Sequence, residues 1–232
     1  MLCSTCGAEN SKFNLKCKFC GAYLQNPVYV LNLFETLGLL ILNPQWGFHR
    51  IIISKRKNYS FFLASLFGIA VAFEIFKQSK IGEKYDNLIF LLFHISLLGI
   101  PLGLSLIAII ASVLKFLLHK FVELKFKTYF AIVAYSMFPV VSGLFFLYPS
   151  ILAVFGIYYF TETPGPENLK PFAFLLFSVV GWILKVYSFF LFLLAINHIT
   201  ENFLKAFIFA FLTSICLFVS LNLLTEIIKI VL

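Results

Sequence analysis

The chain has very little charge for its length. Only 12% of its 232 residues are charged, whereas 61% are hydrophobic and 19% are aromatic. An ordinary soluble domain carries about 25% charged residues, so this sequence cannot cover a water-exposed surface of the usual kind. The shortage of charge therefore indicates that a lipid bilayer is the solvent for most of the chain.

Carboxylates are missing from the middle of every long apolar run. The ten acidic residues are expected in loops, near the ends of predicted spans, or in the N-terminal module: Glu9, Glu35, Glu74, Glu83, Asp86, Glu123, Glu162, Glu167, Glu201 and Glu226. Proton relays and cation sites inside membranes normally use a carboxylate at mid-depth, and acid–base catalysis needs a positioned pair of groups. The sequence also lacks a glycine-rich phosphate loop and a nucleophile elbow. We therefore expect neither an ordinary coupled transporter nor an enzyme.

The longest apolar run extends from Leu88 to Leu114. Its twenty-seven residues include no charged side chain, and as a helix they would reach roughly 40 Å, which exceeds the hydrocarbon core of a bilayer. Because lipid offers the backbone no hydrogen-bond partners, a run of this kind is stable there only as a helix. The sequence therefore predicts a membrane-spanning helix.

Four further runs predict an all-α polytopic membrane protein with a five-helix transmembrane bundle in residues 59–232. They extend from Tyr59 to about Phe76, from Thr128 onward, from about Pro171 to Ile196, and from Phe203 to near Leu224. Prolines predict bends in two spans, at Gly99-Ile-Pro101-Leu-Gly103 in the second and at Tyr135-Ser-Met-Phe-Pro139 in the third. The third run continues past Tyr148-Pro149 to Phe160, so it is either a long bent span or a span followed by a half-helix.

Residues 26–58 are apolar but poorly suited to a span. Val28 to Leu42 is only fifteen residues long, and Asn43-Pro44 follows it at once; a helix of that length reaches about 22 Å. We predict two amphipathic linker helices that lie in the membrane interface. Their expected anchors are Trp46, Arg50, Lys55, Arg56 and Lys57. A tilted additional span is the alternative.

Two CxxC pairs mark residues 1–25. Cys3 and Cys6 form the first pair, Cys17 and Cys20 form the second, and a glycine follows each pair. Two such turns can direct four thiolates to one tetrahedral metal site, so we predict a zinc ribbon with structural Zn²⁺. Iron is the chemical alternative, and disulfides or free thiols are the non-metal alternatives. Four protein ligands would leave no open position for catalysis. The fifth cysteine, Cys216, lies in an apolar run and is expected to pack as a small side chain.

Three observations predict a cytosolic N-terminus. Thiolate ligands persist in a reducing compartment, and the first 25 residues contain no apolar stretch typical of a secretory signal. With this orientation nine basic residues outside the module face the cytosol, against five on the other side, in accord with the positive-inside rule. The nine are Arg50, Lys55, Arg56, Lys57, Lys115, Lys120, Lys125, Lys127 and Lys205; the five are Lys77, Lys80, Lys84, Lys170 and Lys229. Five spans then place the C-terminus on the opposite side.

The net charge of the chain is +8. We expect the basic residues to contact anionic lipid head groups, and no nucleic-acid partner is predicted.

Lys185 is the one cation expected deep in a predicted span. It lies fourteen residues into the fourth span, and an unpaired lysine at that depth would cost several kcal/mol. We predict a contact to a lipid phosphate or an anionic ligand, with Trp182 on the same span and with Tyr135 and Pro139 in the bent third span. The alternative is a lysine satisfied by carbonyls or hydroxyls, or a span that lies shallower.

From about Asn43 onward the chain resembles the Yip family of Ypt/Rab-interacting, five-span membrane proteins. The resemblance is carried by Asn43-Pro44-Gln-Trp46-Gly-Phe48 with Ile51 and Ile52, by Gly99-Ile-Pro101, by Ala134-Tyr135-Ser136-Met137-Phe138-Pro139, and by Trp182 with His198. It implies a five-helix membrane domain and a prokaryotic-type member with an N-terminal zinc ribbon in the cytoplasmic membrane. The aspartate-leucine-tyrosine-glycine-proline signature of eukaryotic members is absent, so a Rab-type interaction does not follow from it.

Two functions are compatible with these features. The first is a non-enzymatic membrane scaffold or adaptor that organises protein partners or lipids and uses the zinc ribbon as its docking module. The second is a lipid or small-solute transporter or channel that uses the bent second and third spans and Lys185. Protein partners are expected through the ribbon or the bundle, and the sequence leaves a homo- or hetero-oligomer open.

Overall fold

The computed structural model describes residues 1–26, 28–119 and 121–231, with side chains described as far as Glu226. Lys120 and Lys229 of the charge count therefore lie outside the described side chains. The fold is 75% helical, and in the described ranges strand pairing is limited to isolated bridges. Residues separate into two compact units, Met1–Tyr59 and a second unit that begins at Ser60, and each is described by itself.

Five helical segments are long and apolar enough to cross a membrane. They are Ser60–Ser79, Leu88–Leu118, Phe126–Phe160, Pro171–Thr200 and Phe203–Glu226. The prediction of five such segments is confirmed, and the chain has the character of an integral membrane protein. The segments extend several residues beyond the predicted ends at Phe76, Leu114 and Ile196, because the polar residues that follow each run continue its helix.

The first unit contains two short helices, α1 (Leu33–Leu42) and α2 (Pro44–Ile53). The side chain of Asn32 accepts a hydrogen bond from the N–H of Glu35 and caps α1, and Asn43 caps α2 in the same way. Residues 28–31 precede the cap and are not helical: Val28 and Tyr29 instead accept backbone hydrogen bonds from Lys55 and Arg56. The helix expected from Val28 therefore begins at Leu33.

The second unit contains α3 (Ser60–Ser79), α4 (Leu88–Leu118), α5 (Phe126–Ser136), α6 (Phe138–Phe155), α7 (Pro166–Leu169), α8 (Pro171–Thr200) and α9 (Phe203–Val231), with 3₁₀ turns at Ile81–Lys84 and Gly156–Phe160. The third predicted span is divided into α5 and α6. The division falls at Met137, since Pro139 lies in the first turn of α6. By contrast, α4 continues through Pro101 without a break.

Helix α3 is the centre of the second unit. It packs against α4, α5, α6 and α9, and 61% of its apolar window is buried, compared with 11% for α9. A helix surrounded on several sides can bury residues around most of its circumference. Accordingly, α3 contributes much of the core, including Phe67, Phe73 and Phe76.

Helices α3 and α4 approach each other closely at a glycine seam formed by Gly68, Gly99 and Gly103. A β-carbon added to Gly68 would lie 2.0 Å from the carbonyl oxygen of Gly99, and one added to Gly103 would lie 2.1 Å from the carbonyl oxygen of Ala64. Gly99 and Gly103 are four residues apart and share one face of α4. Small residues with this spacing allow membrane helices to approach backbone to backbone.

Substitution of Gly68 tests this seam. Alanine is intrinsically the better helix former, but its β-carbon at Gly68 would clash with the backbone of α4. We expect Gly68→Ala to cost about 1–3 kcal/mol and to lower the melting temperature by about 2–12 °C. The measurement is thermal unfolding of the full chain in detergent.

Gly181→Ala is the matched control, because the nearest atom to a β-carbon there is Leu147 Cδ2 at 3.8 Å. It should leave the melting temperature unchanged or raise it. Equal effects of the two substitutions would contradict the proposed importance of the seam.

Candidate functional site

The four N-terminal cysteines lie on two turns of the same construction. Cys3–Ala8 and Cys17–Ala22 share the pattern C-x-x-C-G-A. The N–H of Gly7 donates to the carbonyl of Cys3 at 2.9 Å, and the N–H of Gly21 donates to that of Cys17 at 3.1 Å. Both glycines have positive φ angles, 70° and 74°, a conformation that side chains disfavour. The glycine after each CxxC therefore permits the turn that presents both sulfurs on one side.

The two turns bring all four sulfurs together. Cys3 Sγ lies 3.6 Å from Cys20 Sγ, and Cys6 Sγ lies 3.6 Å from Cys17 Sγ. The four Sγ atoms lie within 4.8 Å of one another. Sulfurs arranged tetrahedrally at about 2.3 Å from a metal are separated by about 3.8 Å, whereas a disulfide bond is about 2.05 Å long. The cluster therefore has the geometry of a four-thiolate metal site, and its cysteines are not paired as disulfides.

Backbone hydrogen bonds favour thiolates in this cluster. The N–H groups of Cys6 and Thr5 lower the pKa of Cys3, and those of Cys20 and Phe19 lower the pKa of Cys17 to about 6. For Cys6 the N–H of Ala8 acts in the same direction, but the neighbouring sulfurs of Cys20 and Cys17 outweigh it and raise the pKa to about 12. A bound cation would relieve this crowding of negative charge.

Asn10 joins the two turns and was missed from sequence. Its side chain is only 8% exposed; Nδ2 donates to Cys17 Sγ at 3.3 Å and to the carbonyl of Ala8 at 3.0 Å, while Oδ1 accepts from the N–H of Lys18 at 3.0 Å. Such second-layer hydrogen bonds orient metal ligands. The available signal was one of the two asparagines between the CxxC pairs, and asparagine is too common a residue to single out.

The expected membrane anchors differ in their surroundings. Trp46, Lys55 and Arg56 are exposed, and Trp46 stacks on His49 at 5.4 Å. Arg50 forms an ion pair with Glu35. Lys57 donates to the carbonyls of Ile52 and Ser54 at 2.8 and 2.9 Å, and desolvation lowers its pKa to about 8. Lys57 therefore caps the C-terminus of α2.

Lys185 has a carboxylate partner that was not predicted from the sequence. Its Nζ lies 3.4 Å from Glu74 Oε2 and 5.3 Å from the ring centroid of Trp182. Glu74 was expected near the end of the first span, but α3 continues five residues beyond it to Ser79, which places the carboxylate inside the helix. The side chain of Lys185 remains 42% exposed. Lys185 therefore has a partner within the protein, and the contact to a lipid phosphate or an anionic ligand stays a prediction.

A tyrosine completes the charged pair. Tyr148 Oη lies 3.3 Å from Glu74 Oε1 and 3.3 Å from the carbonyl of Ala70, so α6 supplies a third group to a pair formed by α3 and α8. Tyr135 and Pro139, which were predicted to accompany Lys185, are buried at the junction of α5 and α6. The contacts described for Lys185 involve neither residue.

Removal of one cysteine should abolish metal binding. We expect the purified chain to contain about one metal ion per four-thiolate site, and Cys17→Ser to lose it because a neutral hydroxyl replaces a thiolate ligand. Elemental analysis of the purified protein measures the stoichiometry. Cys216→Ser is the matched control and should retain the metal; a Cys17→Ser variant with full metal content would contradict the site.

The Glu74–Lys185 pair can be measured by a double-mutant cycle. Lys185→Met leaves a carboxylate without its cation, so it should destabilise the chain more when Glu74 is present than in a Glu74→Gln background. We expect a coupling free energy of about 0.5–3 kcal/mol from thermal unfolding in detergent. Additive effects of the two substitutions would show that the pair does not contribute.

Comparison with known proteins identifies no relative. No protein-family model, curated protein or solved structure matches the chain. The proposals that follow rest on the chain's own residues and geometry.

Proposed function

We propose that the chain is a non-enzymatic integral membrane scaffold or adaptor whose N-terminal metal module docks partner proteins. The observation that carries the proposal is the four-cysteine cluster on a chain with five helices of membrane-spanning length. With four protein ligands the metal would have no open coordination position, so its role is to fold the module and not to activate a substrate.

The proposed metal is zinc in a ribbon-like module. Zn²⁺ takes four thiolates in tetrahedral geometry and has no redox chemistry, which suits a structural role. About twenty-five mostly polar residues bury too little apolar surface to fold alone. A metal that binds only the folded module would supply the folding free energy that the small apolar core cannot.

The surface of the module supports docking. Phe19 lies between the two cysteines of the second turn and is 77% exposed, and Lys16 and Lys18 precede it in the sequence. Lys16 Nζ also lies 4.6 Å from the ring of Tyr23, itself exposed. Aromatic side chains are enriched in protein interfaces. A partner with an apolar pocket and acidic rim fits this chemistry.

The proposed orientation places the module in the cytosol and the C-terminus on the opposite side of the membrane. Its support is the reducing environment that thiolate ligands need and the distribution of basic residues between predicted loops. We also propose, from the sequence resemblance, that the chain is a prokaryotic-type member of the Yip family. Such a membership is consistent with a partner-recruiting role.

The second candidate function is a conduit for lipid or small solutes that uses Lys185. The partial exposure of Lys185 favours it. However, Glu74 already neutralises that lysine, so its charge does not require a ligand. We therefore favour the scaffold.

Comparison of captured partners tests the scaffold. Deletion of residues 1–25 should leave the bundle folded, as judged by its elution and thermal unfolding in detergent, and should remove the specific partners that the full chain retains in a pull-down. Phe19→Ser should weaken the same partners because it removes the exposed ring.

Phe34→Ser is the control, since Phe34 is also highly exposed but lies on α1, outside the cysteine turns. It should keep the partner list of the unaltered chain. A deletion variant with an unchanged partner list would contradict the docking role.

A further inference from the structure

The metal module, residues 1–25, contacts helix α2 through a histidine. His49 Nε2 lies 3.0 Å from Oε1 of Gln25, the last residue of the module. The imidazole also contacts one aromatic ring from each partner: it stacks on Trp46 of α2 with 5.4 Å between ring centroids, and its centroid lies 6.1 Å from that of Phe13 in the module. Module and helix belong to the same compact unit. His49 therefore joins them by a hydrogen bond and by ring contacts.

The orientation of the Gln25 amide determines the tautomer of His49. Gln25 Nε2 donates to the carbonyls of Lys12 and Asn14, at 3.2 and 3.1 Å. These two bonds use both N–H groups of the amide, so its oxygen is the atom that faces His49, and this oxygen can only accept. The neutral imidazole therefore carries its proton on Nε2 and donates it to Gln25. A second proton would bind at Nδ1.

A positive charge on His49 is unfavourable at this contact. The imidazole is partly buried, and desolvation, followed by the charge of Lys12, lowers the pKa of His49 from its ordinary value of 6.5. Lys12 belongs to the module, where its Nζ lies 5.2 Å from the ring centroid of Phe13. On the helical side, Arg50 of α2 forms an ion pair with Glu35 of α1, so the carboxylate of α1 is already matched by a cation. Protonated His49 would therefore be repelled by the module that it holds.

The direction of the pH effect depends on the two states of His49. When the module moves away from α2, the imidazole returns to water and to its ordinary pKa of 6.5. Above that pH His49 is neutral whether or not the contact is formed, so the contact has its full strength. As the pH falls through 6.5 toward the lowered pKa, the imidazole of the released state takes up a proton first. Acid therefore weakens the contact.

We propose that protonation of His49 releases the metal module from α2, so that the contact is a pH-sensitive latch. Gln25 and the two rings hold the module against α2 near neutral pH, and mild acid releases it. The latch goes beyond the proposed function, because it concerns how the chain holds its own module and requires no partner protein. Its residues are distinct from the four cysteines of the cluster.

Proteolysis of the native chain tests the latch. The carbonyl of Lys12 is held by Gln25, so trypsin should cut the Lys12–Phe13 bond only when the module moves away. When release is fast compared with cleavage, the cleavage rate is proportional to the released fraction. For the zinc-loaded full chain in detergent, each rate is divided by that of a reference peptide at the same pH. We expect this ratio to rise about two- to fourfold between pH 7.5 and pH 6.0.

His49→Gln is the decisive variant, because its amide can still donate to Gln25 but does not titrate; its cleavage ratio should not change with pH. His119→Gln is the matched control, since His119 is exposed at the end of α4, and it should keep the rise. Elemental analysis should show that each chain retains its zinc at pH 6.0. An unchanged ratio in the unaltered chain, or an equal rise in His49→Gln, would overturn the proposal. Slower cleavage in acid, as stacking of an imidazolium on Trp46 would produce, would overturn it as well.

Discussion

Backbone contact between α3 and α4 is the interaction on which the rest of the membrane unit depends. In lipid there is little hydrophobic force between helices, so association relies on close packing and on polar contacts. Gly68, Gly99 and Gly103 remove the side chains that would keep the two backbones apart. With α4 fixed on one side of it, α3 can present its other faces to α5, α6 and α9. The central position of α3 therefore follows from three residues that have no side chain.

Polar contacts supply the second constraint. Glu74 of α3 contacts Lys185 of α8 and Tyr148 of α6, so one carboxylate fixes the register of three helices. Burying any of these groups alone in hydrocarbon would be costly. Helix α8 packs against α5, α6 and α9, and the Glu74–Lys185 pair adds its contact to α3.

Sequence reasoning succeeded where the signal was local. The lengths of the apolar runs predicted five helices, and the CxxC spacing predicted the cysteine cluster, because each depends on residues close in sequence. It failed where the partner was distant: Glu74 and Lys185 are separated by more than a hundred residues, and no periodicity relates them. Gly99 and Gly103 were interpreted as part of a bend around Pro101, although they form the packing seam of α4. Asn32 lies inside the apolar stretch from Val28 to Leu42, and its side chain is the cap that begins α1.

The proposed function depends on where the metal module lies. A thiolate cluster on the reducing side of a membrane keeps its metal and can meet cytosolic partners, whereas the same cluster on an oxidising side would be prone to disulfide formation. The most direct measurement is protease accessibility of the N-terminal module in sealed, right-side-out cells. The account predicts that the module stays intact until the membrane is permeabilised and is then cleaved. Cleavage of the module while the cells remain sealed would contradict the topology and the docking role together.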